Sequence, residues 1–285
     1  MSLDTAPPGP AEADTVDTTA TLRVRPLRDA RLATLLAPAL LGIATVAAWQ
    51  LAIDLFHIDP FIVPSPGSIW SEFVDSHASV WHGMVGTGRN ALYGLLVGAV
   101  LGVLGALLAN AVRAIDLMAL PIVAALSVVP IVALAPALYT MFGAAANTAR
   151  VIVAALTVII PVYLNTLRGL RQVKPVHREL MHVYAARPVF VARAVTLPTA
   201  TPYVFTGLRI ASSLSVIAAL IAEYFGGPVD GLGKAITTAA ASSNYPLAWA
   251  FVLGSILLGL AFYVVTLLIE LRVARHSQPS SSTVS

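Results

Sequence analysis

Glu223 sits near the end of an apolar run, and Ala219, Ser215 and Ser212 recur before it on the same side of a helix. A carboxylate among hydrocarbon side chains is costly unless it meets water, a partner or an interface. Two readings follow. Glu223 lies within a turn of the outer surface and reaches solvent, or the stripe of Ser212, Ser215, Ala219 and Glu223 lines a path for a small polar solute. In another apolar run Pro130 and Pro136 release backbone groups that a neighbouring helix or a watery cavity must satisfy. A structural kink and a gate beside the pathway both fit them. Covalent chemistry has less to work with. The chain has no Cys, and its six His residues, His57, His77, His82, His177, His182 and His276, fall in loops or tails. The apolar runs contain neither a nucleophile with a base nor a carboxylate pair, and the chain has no G-x-x-x-x-G-K-[ST] phosphate loop. The expectation is therefore no catalytic residue, no metal ligand and no cofactor.

The elements that hold these residues belong in lipid. Of 285 residues 58% are hydrophobic and 11% charged, and a mean hydropathy of +0.83 is beyond the range of a soluble domain. A net charge of +3 could suggest nucleic acid, but the Arg residues stand at the ends of apolar runs, where lipid orientation explains them. Six runs are long enough to cross a hydrocarbon core of about 30 Å: Leu32 to Ile53, Asn90 to Val112, Leu117 to Met141, Val151 to Leu167, Gly207 to Phe225 and Leu247 to Ile269. They lack the alternating polarity of a barrel, so an all-α membrane protein of six transmembrane helices is expected.

Residues 1–31 are rich in Pro, Ala, Thr and Asp before Arg23, Arg25, Arg28 and Arg31, and read as a disordered tail that stays attached. Residues 276–285 form a second, Ser-rich tail, leaving a transmembrane domain over 32–275. Alternate segments hold fourteen of the seventeen Lys and Arg residues, whereas the loop from Asp54 to Gly86 has none and carries Asp54, Asp59, Glu72 and Asp75. The basic segments face the cytoplasm, with both termini.

One basic segment, about 168–207, is too polar to cross. From Glu179 to Arg187 the apolar Leu180, Val183 and Tyr184 recur at helical spacing, with Glu179, His182 and Arg187 elsewhere on the surface. A helix flat on the headgroups and a separate protruding element both fit. A turn at Ala186 to Pro188, followed by Pro198 and Pro202, is expected to keep a continuous helix from running into the next span. Gly94, Gly98 and Gly102, spaced four apart, let another helix approach, within the chain or from a second copy.

The order Glu179, Ala185 and Ala186, Leu197 and Pro198, Pro202, and Gly207 to Arg209 resembles the cytoplasmic EAA loop of permease subunits of binding-protein-dependent ABC importers. "VPSPGSIWSEF", "GRNALYGLLVGAVLGVLGALLA", "PIVAALSVVPIVALAPALYTMFG" and "AEYFGGPVDGLG" extend the likeness over roughly residues 60–270, to the branch that handles nitrate, sulfonates, taurine and pyrimidine precursors. The resemblance implies a type I importer permease fold in the bacterial plasma (inner) membrane. It makes Glu179, Leu180, Met181, His182, Val183, Tyr184, Ala185, Ala186 and Arg187 a coupling helix for a cytoplasmic ABC ATPase. It also implies an extracytoplasmic solute-binding protein and a second copy of the permease, working by alternating access. The pattern departs where Leu180 and Met181 follow Glu179 and where Ala185 replaces the usual Gly, which shifts the expected bend toward Arg187 and Pro188. A secondary transporter is the alternative, but it would carry more intramembrane charge or an inverted repeat. "AEYFGGP" leans toward a pyrimidine-precursor solute.

Overall fold

The computed structural model describes residues 27–59, 61, 63–143, 146–226 and 230–277, and the described chain is helical throughout. Most of both expected tails, 1–26 and 278–285, lies outside the described residues. Helix is described from Leu27 and runs on to Ser277 at the other end.

The chain divides into two compact units, Met1–Trp49 and Gln50–Ser285. Helix α1 (Leu27–Phe56) runs across that boundary, and its part in the first unit presents Leu36, Leu40, Leu41, Ile43 and Val46 as exposed side chains, the surface that lipid requires. After the end of α1, the second unit continues with a short helix, α2 (Pro66–Asp75), whose first turn is fixed by Ser65: its Oγ accepts from Ser68 N at 3.1 Å, and Pro66 follows at the first helical position.

Three long helices make the core: α3 (His77–Ala111), α6 (Thr148–Leu170) and α9 (Leu197–Phe225). Their crossings are close because small residues stand there. A Cβ on Gly94 would collide with Ala154, one on Gly98 would lie 2.6 Å from the Ala155 carbonyl, and one on Gly102 3.0 Å from Val162 Cβ. These three glycines therefore seat α3 on α6 within one chain. Gly207 plays the same part on α9, against Asn165 and the Pro161 carbonyl. Helix α11 (Tyr245–Ser277) packs on α9 and on the short α10 (Leu232–Ala241), around Val80, Val216, Ala219, Leu232 and Phe251.

Among the described residues four helices are long and apolar enough to cross a membrane, or five if one sharply bent pair counts as a single span; the apolar part of α1, Leu40–Phe56, is shorter. The broken pair corrects the third expected span. Leu117 to Met141 is not one helix but α4 (Arg113–Val128) and α5 (Ile131–Phe142), bent by 98°. Pro130 (φ −71°, ψ 105°) sits in extended backbone at the break, since its ring and missing N–H cannot continue α4. The boundary before Gly207 is corrected in the opposite sense. Pro198 and Pro202 do not interrupt the chain: a π-helical turn, Ala192–Thr196, leads directly into α9. Pro198 lies in the first turn of α9, where a missing N–H is tolerated, and the wider π turn relieves the crowding that a proline ring creates.

Gly98→Leu is expected to cost about 1–3 kcal/mol through overpacking against Ala155 and Val158. A lower melting temperature of the detergent-solubilised protein would show it; an unchanged one would mean that α3 does not seat on α6 through this face.

Candidate functional site

The two ends of α9 carry the two groups of residues singled out by the sequence, about 40 Å apart by the helical rise. At the start of α9 lies the hairpin. Helix α7 (Pro175–Val183) and the single turn α8 (Pro188–Val191) are joined by a corner at Ala185, and neither has a buried residue. The apolar Val176, Leu180, Val183 and Tyr184 follow an i, i+4, i+7, i+8 spacing and are all exposed, Val183 to 83%. Val189 and Phe190 extend that exposed surface on α8. Arg178, Glu179, Met181 and His182 instead border a recess of about 700 Å³ closed by Val191 and Thr196. Glu179 thus faces into the hairpin and the apolar side faces out.

The corner has not shifted toward Arg187. Ala185 itself takes φ 47°, the left-handed conformation that favours glycine. Ala185 N donates to His182 O at 2.9 Å and Ala186 N to Met181 O at 3.0 Å, the paired bonds of a Schellman cap. Those bonds hold the alanine in place at a local cost of about 1–2 kcal/mol.

The far end of α9 holds a buried ionic knot. Glu223 is fully buried. Its Oε2 accepts from Thr87 Oγ1 at 2.6 Å and from Gly233 N at 3.2 Å, and its Oε1 accepts from Asn90 Nδ2 at 3.1 Å. Thr87 Oγ1 in turn accepts from Leu232 N at 2.9 Å. Arg150, in the first turn of α6 and equally buried, places Nη1 3.9 Å from Glu223 Oε1 and 3.0 Å from Asp230 Oδ1. Arg89 reaches the other Asp230 oxygen at 3.4 Å. Two acids and two bases thereby neutralise one another where α3, α6, α9 and the entry to α10 meet. A Cβ at Gly231 would strike the Glu223 carboxylate, so the α9–α10 connection closes directly over the charge. Among the described residues no cluster of His, Asp and Glu could hold a metal ion.

The expected pathway stripe lies between packed helices here. Ser212, Ser215, Ala219 and Glu223 have no exposed surface in this structure. Ser212 Oγ donates to Arg209 O at 2.7 Å and lies 3.0 Å from Thr266 Oγ1 on α11; Ser215 Oγ donates to Ser212 O. The small side chains face inward because they let neighbouring helices close on α9. Pro130 alone of the stated pathway residues is exposed. Other ionisable groups stand on the same long helices. Arg89 and Arg150 lie on the long helices, and Arg209 on α9 pairs with Glu270 on α11 at 3.3 Å, over the Tyr263 ring. The sequence hints at them in "GTGRN", where Thr87 and Asn90 stand three apart on one helix face, and in the acid of "GGPVDGLG".

A family model described as "Binding-protein-dependent transport system inner membrane component" matches residues 98–275. The chain belongs to that family. It is the permease of a binding-protein-dependent ABC import system for small solutes, a multi-pass protein of the plasma membrane. The permease is 29% identical over 80% of its length to a probable ABC transporter permease protein of Haemophilus influenzae, covering 93% of that protein. It is 30% identical over 80% of its length to the riboflavin transport system permease protein RibX of Chloroflexus aurantiacus, covering 85% of it. With the putative aliphatic sulfonates transport permease protein SsuC of Bacillus subtilis it shares 29% identity over 70% of the chain and 72% of that protein. Its type I permease fold is shared with the crystal structure of an amino acid ABC transporter with histidines, at a TM-score of 0.59, 17% identity, and coverage of 70% of this chain and 96% of that one.

Glu223→Ala is expected to lower stability by about 3–5 kcal/mol, because it removes one partner of a buried charge pair. Glu223→Gln, which keeps the side chain's volume and one of its two acceptor oxygens, should cost less. Thermal melts of the purified permease in detergent check the order, and equal melting temperatures for the two variants would refute it. Ala185→Gly is expected to raise stability by roughly 1 kcal/mol by relieving the left-handed alanine; a destabilised Gly variant would show that the corner is not strained.

Proposed function

We propose that the permease moves a small polar solute inward by alternating access, driven by a cytoplasmic ABC ATPase that grips the α7–α8 hairpin. The observation that carries this reading is the exposed apolar face of Val176, Leu180, Val183 and Tyr184 on an otherwise polar helix. An isolated amphipathic face of this size is the shape that a groove on a partner accepts. Helix α9 continues from the hairpin through the π turn to the Glu223 knot, so a displacement at the ATPase side is carried along one element to the other end.

The remaining expectations complete the assembly. Both termini and the hairpin face the cytoplasm, a solute-binding protein delivers cargo on the opposite side, and two copies of the permease enclose the path. The segment 168–207 couples, and 32–275 forms the transmembrane domain. Nucleotide binding draws the ATPases and hairpins together and opens the path outward; hydrolysis resets it. The solute is of the size and polarity handled by the related permeases, whose names give riboflavin, formylaminopyrimidine, sulfonates, bicarbonate and nitrate. A pyrimidine precursor is the specific proposal, to be checked by binding measurements on the partner solute receptor.

Tyr184→Asp and Val183→Asp are expected to reduce uptake at least tenfold and to abolish co-purification of the ATPase, while leaving the permease inserted at normal levels. Glu179→Arg should do the same by unbalancing the recess behind the docking face. Normal transport by all three variants would remove the hairpin from the mechanism.

A further inference from the structure

The motif "VPSPGSIWSEF" builds α2, and neither the hairpin nor the ionic knot uses it. Pro64 is fully buried, Ser65 caps the first turn and Pro66 fixes the backbone there, so the helix starts from a rigid point. One residue, Ser76, separates its end from α3. Ser76 Oγ donates to Glu72 Oε1 at 2.8 Å and Ser76 N to Glu72 O at 2.8 Å, which holds the corner. The start of α3 lies at the Glu223 end of the bundle, since Thr87 and Asn90 reach that carboxylate. Helix α2 therefore stands at the end opposite the hairpin.

Successive residues of α2 meet three different surroundings. Ile69 and Phe73, four apart, face the bundle: Ile69 is buried, and Phe73 packs on the cluster around Val80 and Phe251. About 100° on around the axis, Trp70 and Val74 are 61% and 50% exposed. The Trp70 ring is braced by Phe73, stacked at 5.8 Å between centroids. A further ~100° on stand Ser71 and Asp75, also exposed, with Ser71 Oγ donating to Asp75 Oδ2 at 3.4 Å. A helix surrounded by water has no need of the second stripe, and one sunk in hydrocarbon could not carry the third. A helix seated on a bundle and lying in the plane of a membrane interface needs all three.

The oily stripe continues a surface that already meets lipid. Trp81, Val85, Leu92 and Leu96 form one exposed stripe along α3, from its second turn into the part of the helix that crosses the membrane. Trp70, Trp81 and Trp249 are three of the four tryptophans of the chain; all three are exposed, on α2 and on the second turns of α3 and α11. Indole, with an apolar body and a polar N–H, concentrates where headgroups give way to acyl chains. No Lys or Arg lies between Asp54 and Gly86, so apolar burial and not charge supplies the attraction.

We propose that α2 is a membrane-interface anchor. Trp70 and Val74 insert among headgroups and upper acyl chains at the end of the bundle opposite the hairpin, and Ser71 and Asp75 stay in water. The anchor holds the Glu223 end of α9 at a fixed depth in the bilayer. It depends neither on the hairpin's partner nor on the solute.

The chain has no native Cys, so a single introduced one reports alone. Trp70→Cys, Ser71→Cys, Val74→Cys and Asp75→Cys are spin-labelled in the complete transporter in nanodiscs of phosphatidylethanolamine and phosphatidylglycerol. Power saturation with oxygen and with a water-soluble nickel chelate reads the depth of each label. Labels at 70 and 74 should favour oxygen and lie about 5–10 Å into the headgroup–acyl boundary, and those at 71 and 75 should favour nickel. Val74→Cys leaves the Trp70 indole in place, so it still reads the stripe if loss of the indole disturbs α2. Nickel access at both 70 and 74 would overturn the anchor. If an added solute-binding protein then shut nickel out, the stripe would be a docking surface for that protein instead.

Discussion

A carboxylate buried in a membrane protein must be neutralised and hydrogen-bonded on every side, and that requirement organises this fold. Glu223 accepts from Thr87 and Asn90 of α3 and from Gly233 of α10, beside Arg150 of α6. No two helices could supply this set. The constraint fixes the mutual position of α3, α6, α9 and α10 at one end of the bundle, and the glycine-lined contacts between α3 and α6 extend it along the bundle. A second ion pair, Arg209 with Glu270, joins α9 to α11, with Thr206 donating to Glu270 at 2.9 Å.

Helix α9 therefore has unlike ends. One is locked into the protein by charge; the other emerges, through a single wide turn, into a hairpin with no buried residue. An element clamped at one end and handled at the other suits a transporter in which work arrives from outside the lipid. Specificity for the cargo need not reside in the stripe along α9, whose polar groups are spent on holding helices together.

Much of this was legible in the sequence. Uninterrupted apolar runs dictated helices in lipid, and the spacing of Leu180, Val183 and Tyr184 identified the outward face of α7 before its exposure was known. What could not be read was direction. Ser212, Ser215 and Ala219 fall on one helical face whether they meet solute or another helix, and only the partners, Thr266 and the core around Val216, distinguish the two. A kink was expected at Pro130 and is there, whereas Pro198 misled, for a local reason. Pro130 follows a full helix and breaks it, whereas Pro198 falls in a first turn that the π turn had already loosened. Arg150 gives no such signal because it precedes the apolar run by one residue, though it lies within the helix that the run forms. At Ala185 the paired bonds of the cap outweighed the residue's own preference.

The π turn at Ala192–Thr196 carries a further consequence. A residue gained or lost in a helix rotates everything before it by about 100° about the axis. The segment ahead of α9 thus works as a phase setting: its residue count decides which azimuth the oily side of α7 takes around the bundle. A one-residue insertion or deletion there would swing that side around the bundle without altering any residue on it.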